Sequence, residues 1–356
     1  MDTKDKELKP LVSVCLPNLN NKPFLDERLD TIFKQTYSNW ELIVVDNYSD
    51  DGAWELFQKY SEFEPKMNIS QAPKGKGMYC NWNNCIRKAS GEYIYIATSD
   101  DTMSPDCLEK MVAVLEKNPE GDICHCCLEK IDEKGDLIKN SWEGFPSQKF
   151  YNDLTFKLHK RKAPIDGILH FACCTVYTSI TQLLIRKKVF DMVGLFRSDW
   201  GSVGDFEWEM RASLVCSTIH IPEYLASWRV HSNQATSSTA SVENRIKMID
   251  MSREAVKILS VHNNKFFVYL KSNFKRMIYI YELEKIIFSV RECILDRSLK
   301  KLLFCLKLVL GHPLLSLYLM YSYICGMKMS DINVRFIKKK ISLLGLNENI
   351  IEIIEK

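Results

Sequence analysis

The chain has 356 residues, 46% of them hydrophobic and 26% charged, with only 14 Gly and 11 Pro. Disorder, collagen-like repeats and a disulfide miniprotein are therefore excluded, and a large buried core is expected. A formal charge of +3 is too small to announce a nucleic-acid partner. Thirteen cysteines behind an N-terminus that lacks an apolar stretch read as reduced thiols in a cytosolic protein with no secretory signal.

In chain order, the runs 11–16, 41–45, 92–97 and 122–128 read as strands, the first closed by Pro17 and the second by Asp46. Helical patterns lie between them at 23–35, 53–63, 78–89 and 105–117, with Pro105 suited to a first helical turn. This spacing predicts βαβ units, hence an α/β fold with a mostly parallel sheet covered on both faces. IDEKGDLI (131–138) reads as a hairpin turning at Lys134-Gly135. A strand at 181–185, helices from 187 and through 207–214, and a last strand near 218–221 complete the front unit, taken as residues 1–238.

Residues 239–356 read as a separate helical subdomain. From 240 onward there are 20 Lys and Arg against 11 Asp and Glu, a local balance of +9, so the preceding residues carry −6. The polar run SNQATSSTAS (232–241) lies at that junction. Residues 308–327 contain no Asp, Glu, Lys or Arg, but Gly311, His312 and Pro313 break the run into pieces too short to span a bilayer. The readings kept for this subdomain are acceptor binding, peripheral contact with an anionic membrane, and self-association into a homo-oligomer.

Ligands of open α/β sheets bind beyond the carboxyl ends of the strands. After the first strand stand Pro17, Asn18 and Asn20, after the second Asp46 through Gly52, and after the third Thr98, Ser99, Asp100 and Asp101. Three acidic or amide strand ends on one rim suit a divalent cation and hydroxyl or base donors. No GxGxxG or GxxxxGK[ST] loop follows any of these strands, which weighs against NAD enzymes and P-loop hydrolases. A bound diphosphate would need a metal, with Asp100 and Asp101 as hard-oxygen ligands. The competing reading of that pair is a helix cap.

These residues resemble family 2 of the nucleotide-sugar-dependent glycosyltransferases, which have the GT-A fold, over about residues 11–235. The carriers are VSVCLPNLN with Pro17 and Asn20, and LDTIFKQTYSNWELIVVDNYSDDG with Gln35, Thr36, Asp46, Ser49, Asp51 and Gly52. To these KGKGMYCNWNNCIRKASGEYIYIATSDD adds Gly75, Asn81, Ala89, Gly91, Glu92, Tyr93, Asp100 and Asp101. The resemblance implies that Asp46 accepts a hydrogen bond from the nucleotide base, and that Asp100 and Asp101 reach the ribose and a divalent metal. It draws Asn18, Asn81 and Ser99 into the donor site, and Lys74 either into it or into a solvated loop. Thr98 departs from the family's usual Asp.

GLFRSDWGSVGDFEWEMRAS resembles the family's acceptor-side element, with Asp205 in the position of the general base and Gly204 replacing its usual Glu neighbour. Asp205 as a helix cap, and Glu207 or Glu209 as the base, are the competing readings. Trp228-Arg229-Val230-His231 resembles the aromatic-Arg-x-His element, giving Arg229 a phosphate role and His231 either a metal role or a structural one. Trp142, Trp200 and Trp208 are sugar-stacking or core residues. The cluster Cys124-His125-Cys126-Cys127 is not read as a zinc site, because strand neighbours point to opposite faces; Cys173-Cys174 falls to the same argument.

The expected function is inverting, metal-dependent transfer of a sugar from a nucleotide-diphosphate donor to a hydroxyl of a glycan or lipid-linked saccharide. The expected donor is a UDP-sugar, the metal Mn2+ or Mg2+, and the setting cell-surface polysaccharide synthesis at the inner face of the cell membrane. The alternative is a catalytically degenerate sugar-nucleotide-binding or scaffold protein on the same fold, favoured by Thr98 and Gly204.

Overall fold

The computed structural model describes residues 9–72, 77–140, 150–172, 175–232, 234, 242–261, 313–326 and 350–354, with single positions 282, 299, 303, 306, 309, 310, 331, 335 and 337–339. The chain divides into two compact units. The first holds residues 1–140, 179–198 and 223–230, and the second 141–178, 199–222 and 231–356.

The first unit opens with β1 (Val12–Asn18), α1 (Lys22–Phe33), β2 (Trp40–Asp46), α2 (Ala53–Ser61), β3 (Met67–Gln71), α3 (Met78–Lys88) and β4 (Tyr93–Ile96). These strands lie parallel in the order β4-β1-β2-β3. Their apolar runs are buried on both faces, as parallel strands flanked by helices require: Val12, Val14, Leu16, Leu42, Val44 and Ile94 are all solvent-free. Then come β5 (Thr102–Met103), α4 (Cys107–Lys117), β6 (Ile123–Ile131) and β7 (Leu137–Asn140). β6 and β7 form the expected hairpin, with Gly135 at φ 91° in its turn. β9 (Leu183–Arg186) pairs antiparallel with both β4 and β6, and α6 (Lys188–Val193) follows it.

The second unit contains β8 (His159–Arg161), α5 (Ile165–Ala172), α7 (Gly204–Val215), α8 (Val242–Val261), α9 (Pro313–Ile324) and β11 (Ile351–Ile353). β10 (Thr218–Arg229) starts in this unit, paired antiparallel with β8, and ends in the first unit, where it pairs with β5. β8 also pairs with β11.

Four expectations need correction. Pro17 does not close the first strand: β1 continues to Asn18, and Pro17 sits opposite Val45 beyond the last β4 pair, Cys15 with Ile96, so its missing N–H breaks no ladder bond. β3 was not foreseen, because MNISQ is largely polar and, among the described residues, pairs with β2 alone. Pro105 precedes its helix, which begins at Cys107. The last strand runs on through Pro222 to Arg229, so Trp228 and Arg229 belong to it rather than following it.

Candidate functional site

The strand order β4-β1-β2 brings three polar strand ends together on one rim, and the parallel register sets Asn18 beside Asp46. Asp46 is solvent-free. Its carboxylate accepts from the Ser49 N–H at 2.9 Å, the Ser49 Oγ at 2.6 Å and the Asn18 Nδ2 at 2.9 Å. Asn20, at φ 54° in the left-handed region that Asn tolerates, places its N–H 2.9 Å from Ser49 Oγ and its Oδ1 3.0 Å from the Asp50 N–H. Asn81 reaches in from α3, donating from Nδ2 to the carbonyls of Val45 at 2.8 Å and Asn18 at 3.3 Å. Both loops are thereby locked. The buried Oδ1 atoms of Asn18 and Asn81 have no hydrogen-bond donor among the described residues, and a ligand N–H would complete them.

Asp51 holds the loop ends, accepting from the N–H of Lys22 at 2.8 Å and of Ala53 at 3.0 Å, the latter at the start of α2. Gly52 follows at φ 84°, a conformation that costs glycine nothing.

Beyond β4, Asp101 is 2% exposed. Its oxygens accept from the Thr98 hydroxyl and, at 2.9 Å, from the Arg229 N–H. Burial and the neighbouring charge of Asp100 push its carboxyl up to about 7, against the partial relief given by Thr98, the Arg229 N–H and Arg28. Ser99 is buried and accepts from Asn21 Nδ2 at 2.7 Å. Two adjacent carboxyls, one buried and crowded by its neighbour's charge, are a donor set that a hard divalent cation fits, because the ion supplies the missing positive charge.

Arg229 has a job the sequence did not suggest. Its guanidinium is 1% exposed and donates to the carbonyls of Asp100 at 2.8 Å, Asp132 at 3.0 Å and Glu133 at 3.2 Å, and to the Glu27 carboxylate at 2.6 Å. All three nitrogens are engaged within the protein, so Arg229 ties β10 to the Asp100-Asp101 turn, to the hairpin and to α1. Glu27 and Arg28 were also missed. Arg28 is fully buried over the Tyr95 ring at 5.8 Å, with no hydrogen bond to its nitrogens among the described residues. In the sequence both read as ordinary charged positions of an amphipathic helix.

The opposite end of the sheet carries the other motif residues. Gly91 lies so close to β1 that a Cβ there would meet Leu11 O at 2.5 Å and Ser13 N at 2.8 Å. The Glu41 carboxylate accepts from Ser13 Oγ at 2.6 Å, Ser90 N–H at 2.8 Å and Ser90 Oγ at 2.7 Å. Burial raises its pKa, but these hydrogen bonds win, and the carboxyl sits below its ordinary value.

In the second unit Asp205 lies in the first turn of α7, half-buried, accepting the Phe206 N–H at 2.7 Å. Glu207 is solvent-free and chelated by Arg211, with bonds of 2.6 and 2.8 Å. Glu209, one turn beyond Asp205, is buried and accepts Thr175 Oγ1 at 2.7 Å. Burial, then the charge of Asp205, hold its carboxyl well above its ordinary range. Trp208 is fully buried in the core. The His231 N–H donates to Gln234 Oε1 at 2.9 Å. Cys124, His125, Cys126 and Cys127 are all buried in β6. Lys74, Gly75, Trp142, Cys173 and Cys174 lie outside the described residues.

The family model described as "Glycosyl transferase family 2" matches residues 13–181. TuaG of Bacillus subtilis (strain 168), provisionally named as a teichuronic acid biosynthesis glycosyltransferase, is 30% identical over 104 residues, covering 29% of this chain and 41% of TuaG. The match thus spans less than half the length of that relative. An uncharacterized glycosyltransferase of Haemophilus influenzae is 27% identical over 78% of this chain and 82% of its own. Among solved structures, S. aureus TarS 1–349 in complex with UDP-GlcNAc aligns at TM-score 0.60 and 15% identity, over 83% of this chain and 79% of its own. The mannosyltransferase PcManGT from Pyrobaculum calidifontis, in complex with GDP-Man and Mn2+, aligns at 0.56 and 17%, over 93% and 87%. These likenesses show the α/β GT-A fold.

Proposed function

From the match to glycosyl transferase family 2 over residues 13–181, we propose that the chain moves a sugar from a nucleoside-diphosphate donor to a hydroxyl of a glycan or lipid-linked saccharide, with inversion. The observation that carries this reading is that hydrogen bonds join Asn18 to Asp46 and Asn81 to Asn18 at the carboxyl ends of β1 and β2, while Asp100 and Asp101 follow β4, the strand on the other side of β1. TarS with bound UDP-GlcNAc and PcManGT with bound GDP-Man support a nucleotide-sugar donor, and TuaG, named for teichuronic acid biosynthesis, supports a glycan acceptor.

In the proposed reaction the acceptor oxygen attacks the anomeric carbon, the bond from that carbon to the diphosphate breaks, and the hydroxyl proton passes to the Asp205 carboxylate. Glu207 is solvent-free and chelated by Arg211, and Glu209 is buried and accepts the Thr175 hydroxyl, whereas Asp205 is half-buried in the first turn of α7 and so better placed to meet an acceptor. Asp101 and Asp100, and His231 on resemblance alone, would hold Mn2+ or Mg2+, which when bound offsets the charge of the departing diphosphate. Asn18 and Asn81 offer carbonyl oxygens to base N–H groups, and Pro17, Asn20, Ser99, Lys74 and Gly75 complete the donor site. Arg229 is assigned to holding Asp100 and Asp101 in place rather than to phosphate. Cell-surface polysaccharide synthesis on the cytoplasmic side of the membrane is the setting proposed.

A thermal-shift panel of nucleoside diphosphates with and without manganese tests the donor half. One nucleotide is expected to raise Tm strongly, because ligand at a hundred times its Kd stabilises by about 2.7 kcal/mol, and the rise should need the metal. No shift with any nucleotide in manganese would overturn the reading. A binding protein without turnover is the second reading, favoured by Thr98 standing where an acid is usual. Donor hydrolysis with manganese and no acceptor separates the two.

A further inference from the structure

Nine large apolar side chains between residues 299 and 324 stand exposed. Leu299, Leu303, Leu306 and Leu310 recur at intervals of four, three and four residues, and Leu314, Leu317, Tyr321 and Ile324 at three, four and three. Helical spacing of this kind draws one continuous apolar stripe on either side of Gly311-His312-Pro313. On α9, Leu314 is 83% exposed and Ile324 79%, while Ser316 is 3% exposed and donates its hydroxyl to the Val309 carbonyl at 3.0 Å. Among the described side chains of this helix, Ser316 is the buried one, while Leu314, Leu317, Met320, Tyr321 and Ile324 face outward.

We propose that this stripe docks on the surface of an anionic lipid bilayer. Charge selects that occupant. Between Asp296 and Asp331 there is no acidic residue, whereas Arg297, Lys300, Lys301, Lys307 and Lys328 are basic. A second copy of the chain seated on the stripe would bring these cations together, and an anionic lipid layer neutralises them. Tyr318, Tyr321 and Tyr323 are of the type that settles at headgroup depth. α9 has 12 residues, about 18 Å at 1.5 Å per residue, well short of a hydrocarbon core of about 30 Å, so it lies in the interface rather than across it. Among the described residues no helix is long and apolar enough to cross a membrane.

This inference deepens the proposed function by placing the chain where a lipid-linked acceptor would be. It does not use the transfer reaction, so either can fail alone. The test is flotation of the full chain, without donor or acceptor, on vesicles of phosphatidylcholine alone or with about one third phosphatidylglycerol. Binding to the anionic vesicles only, weakening as salt rises, is expected. The double variant Leu314→Glu, Leu317→Glu should lower vesicle binding about tenfold or more while keeping the nucleotide thermal shift of the parent. If that variant loses the shift as well, the triple variant Lys300→Gln, Lys301→Gln, Lys307→Gln decides, with weaker binding and a flatter salt dependence expected. Absence of parent binding to anionic vesicles overturns the proposal. So does a dimer in sedimentation that the glutamate pair dissolves while vesicle binding stands.

Discussion

The two ends of the parallel sheet use carboxylates in opposite ways. At the amino end, Glu41 accepts from two hydroxyls and an N–H, and its charge is fully accommodated. At the carboxyl end, Asp101 has a hydroxyl and an N–H for company, a second acid beside it, and a pKa pushed up to about 7. Both ends match the same family pattern. At the carboxyl end alone, burial and the charge of a neighbouring acid disfavour the ionised form of a carboxyl, a cost that a bound cation would relieve.

The largest break in this contrast should come from chemistry. Asp101→Ala, and independently Asp205→Asn, are expected to lower kcat for sugar transfer by about a thousandfold or more. The Asp205 variant should keep the nucleotide thermal shift and the Asp101 variant should lose its manganese-dependent part. Full turnover by Asp205→Asn would remove the assigned base.

Next in size is Gly91→Ala. A Cβ within 3 Å of backbone atoms forces the first strand to shift, and a loss of about 3 kcal/mol is expected by denaturant unfolding. Transfer per folded molecule should stay within about twofold of the parent. A large fall in kcat at unchanged stability would erase the distinction between the two ends.

The pH dependence sharpens it. The Asp101 carboxyl rises from 3.8 to about 7 on folding, so between those limits the folded state holds a proton that the unfolded chain has released. Stability from this group is present below that window and falls as pH rises through it, by at most about 1.4 kcal/mol per pH unit. Asp101→Asn cannot ionise, so without metal it should be more stable than the parent above pH 7 and similar near pH 4. Equal Tm values at both pH values would refute the assignment.

Glu41→Gln is the smallest effect, about 1 kcal/mol, because the group is partly exposed and its neighbours can turn to water. The Glu41 pKa is lowered on folding, so its contribution is present above the ordinary carboxylate range and fades as pH falls through the folded value. The difference between parent and variant should therefore shrink in acid, which urea melts at two pH values would measure.

Where the sequence spoke clearly, it did so through unbroken apolar runs. LVSVCL, ELIVV and EYIYIA are apolar on both faces, as strands covered by helices on both sides are, and where such strands lie parallel the acids that follow them gather on one rim. Where polarity disguised an element it fell silent: β3 is an edge strand with polar residues, and β10 continues through Pro222. Motif residues gave no hint of division of labour either. Asp51 looks like a ligand in an acidic loop and instead holds the first turn of α2.

By itself, then, the amino-acid order determined the α/β class and the set of strand-end acids, since hydrophobic period and short-range spacing are local properties, and its motifs carried the family resemblance. Tertiary structure alone decided that Arg229 spends its guanidinium on Glu27 and on three carbonyls, that Arg28 is buried over Tyr95, and that Asp101 is raised while Glu41 is lowered. These depend on burial and on partners up to 202 positions away in the chain, and charge energies are set by such surroundings rather than by residue type.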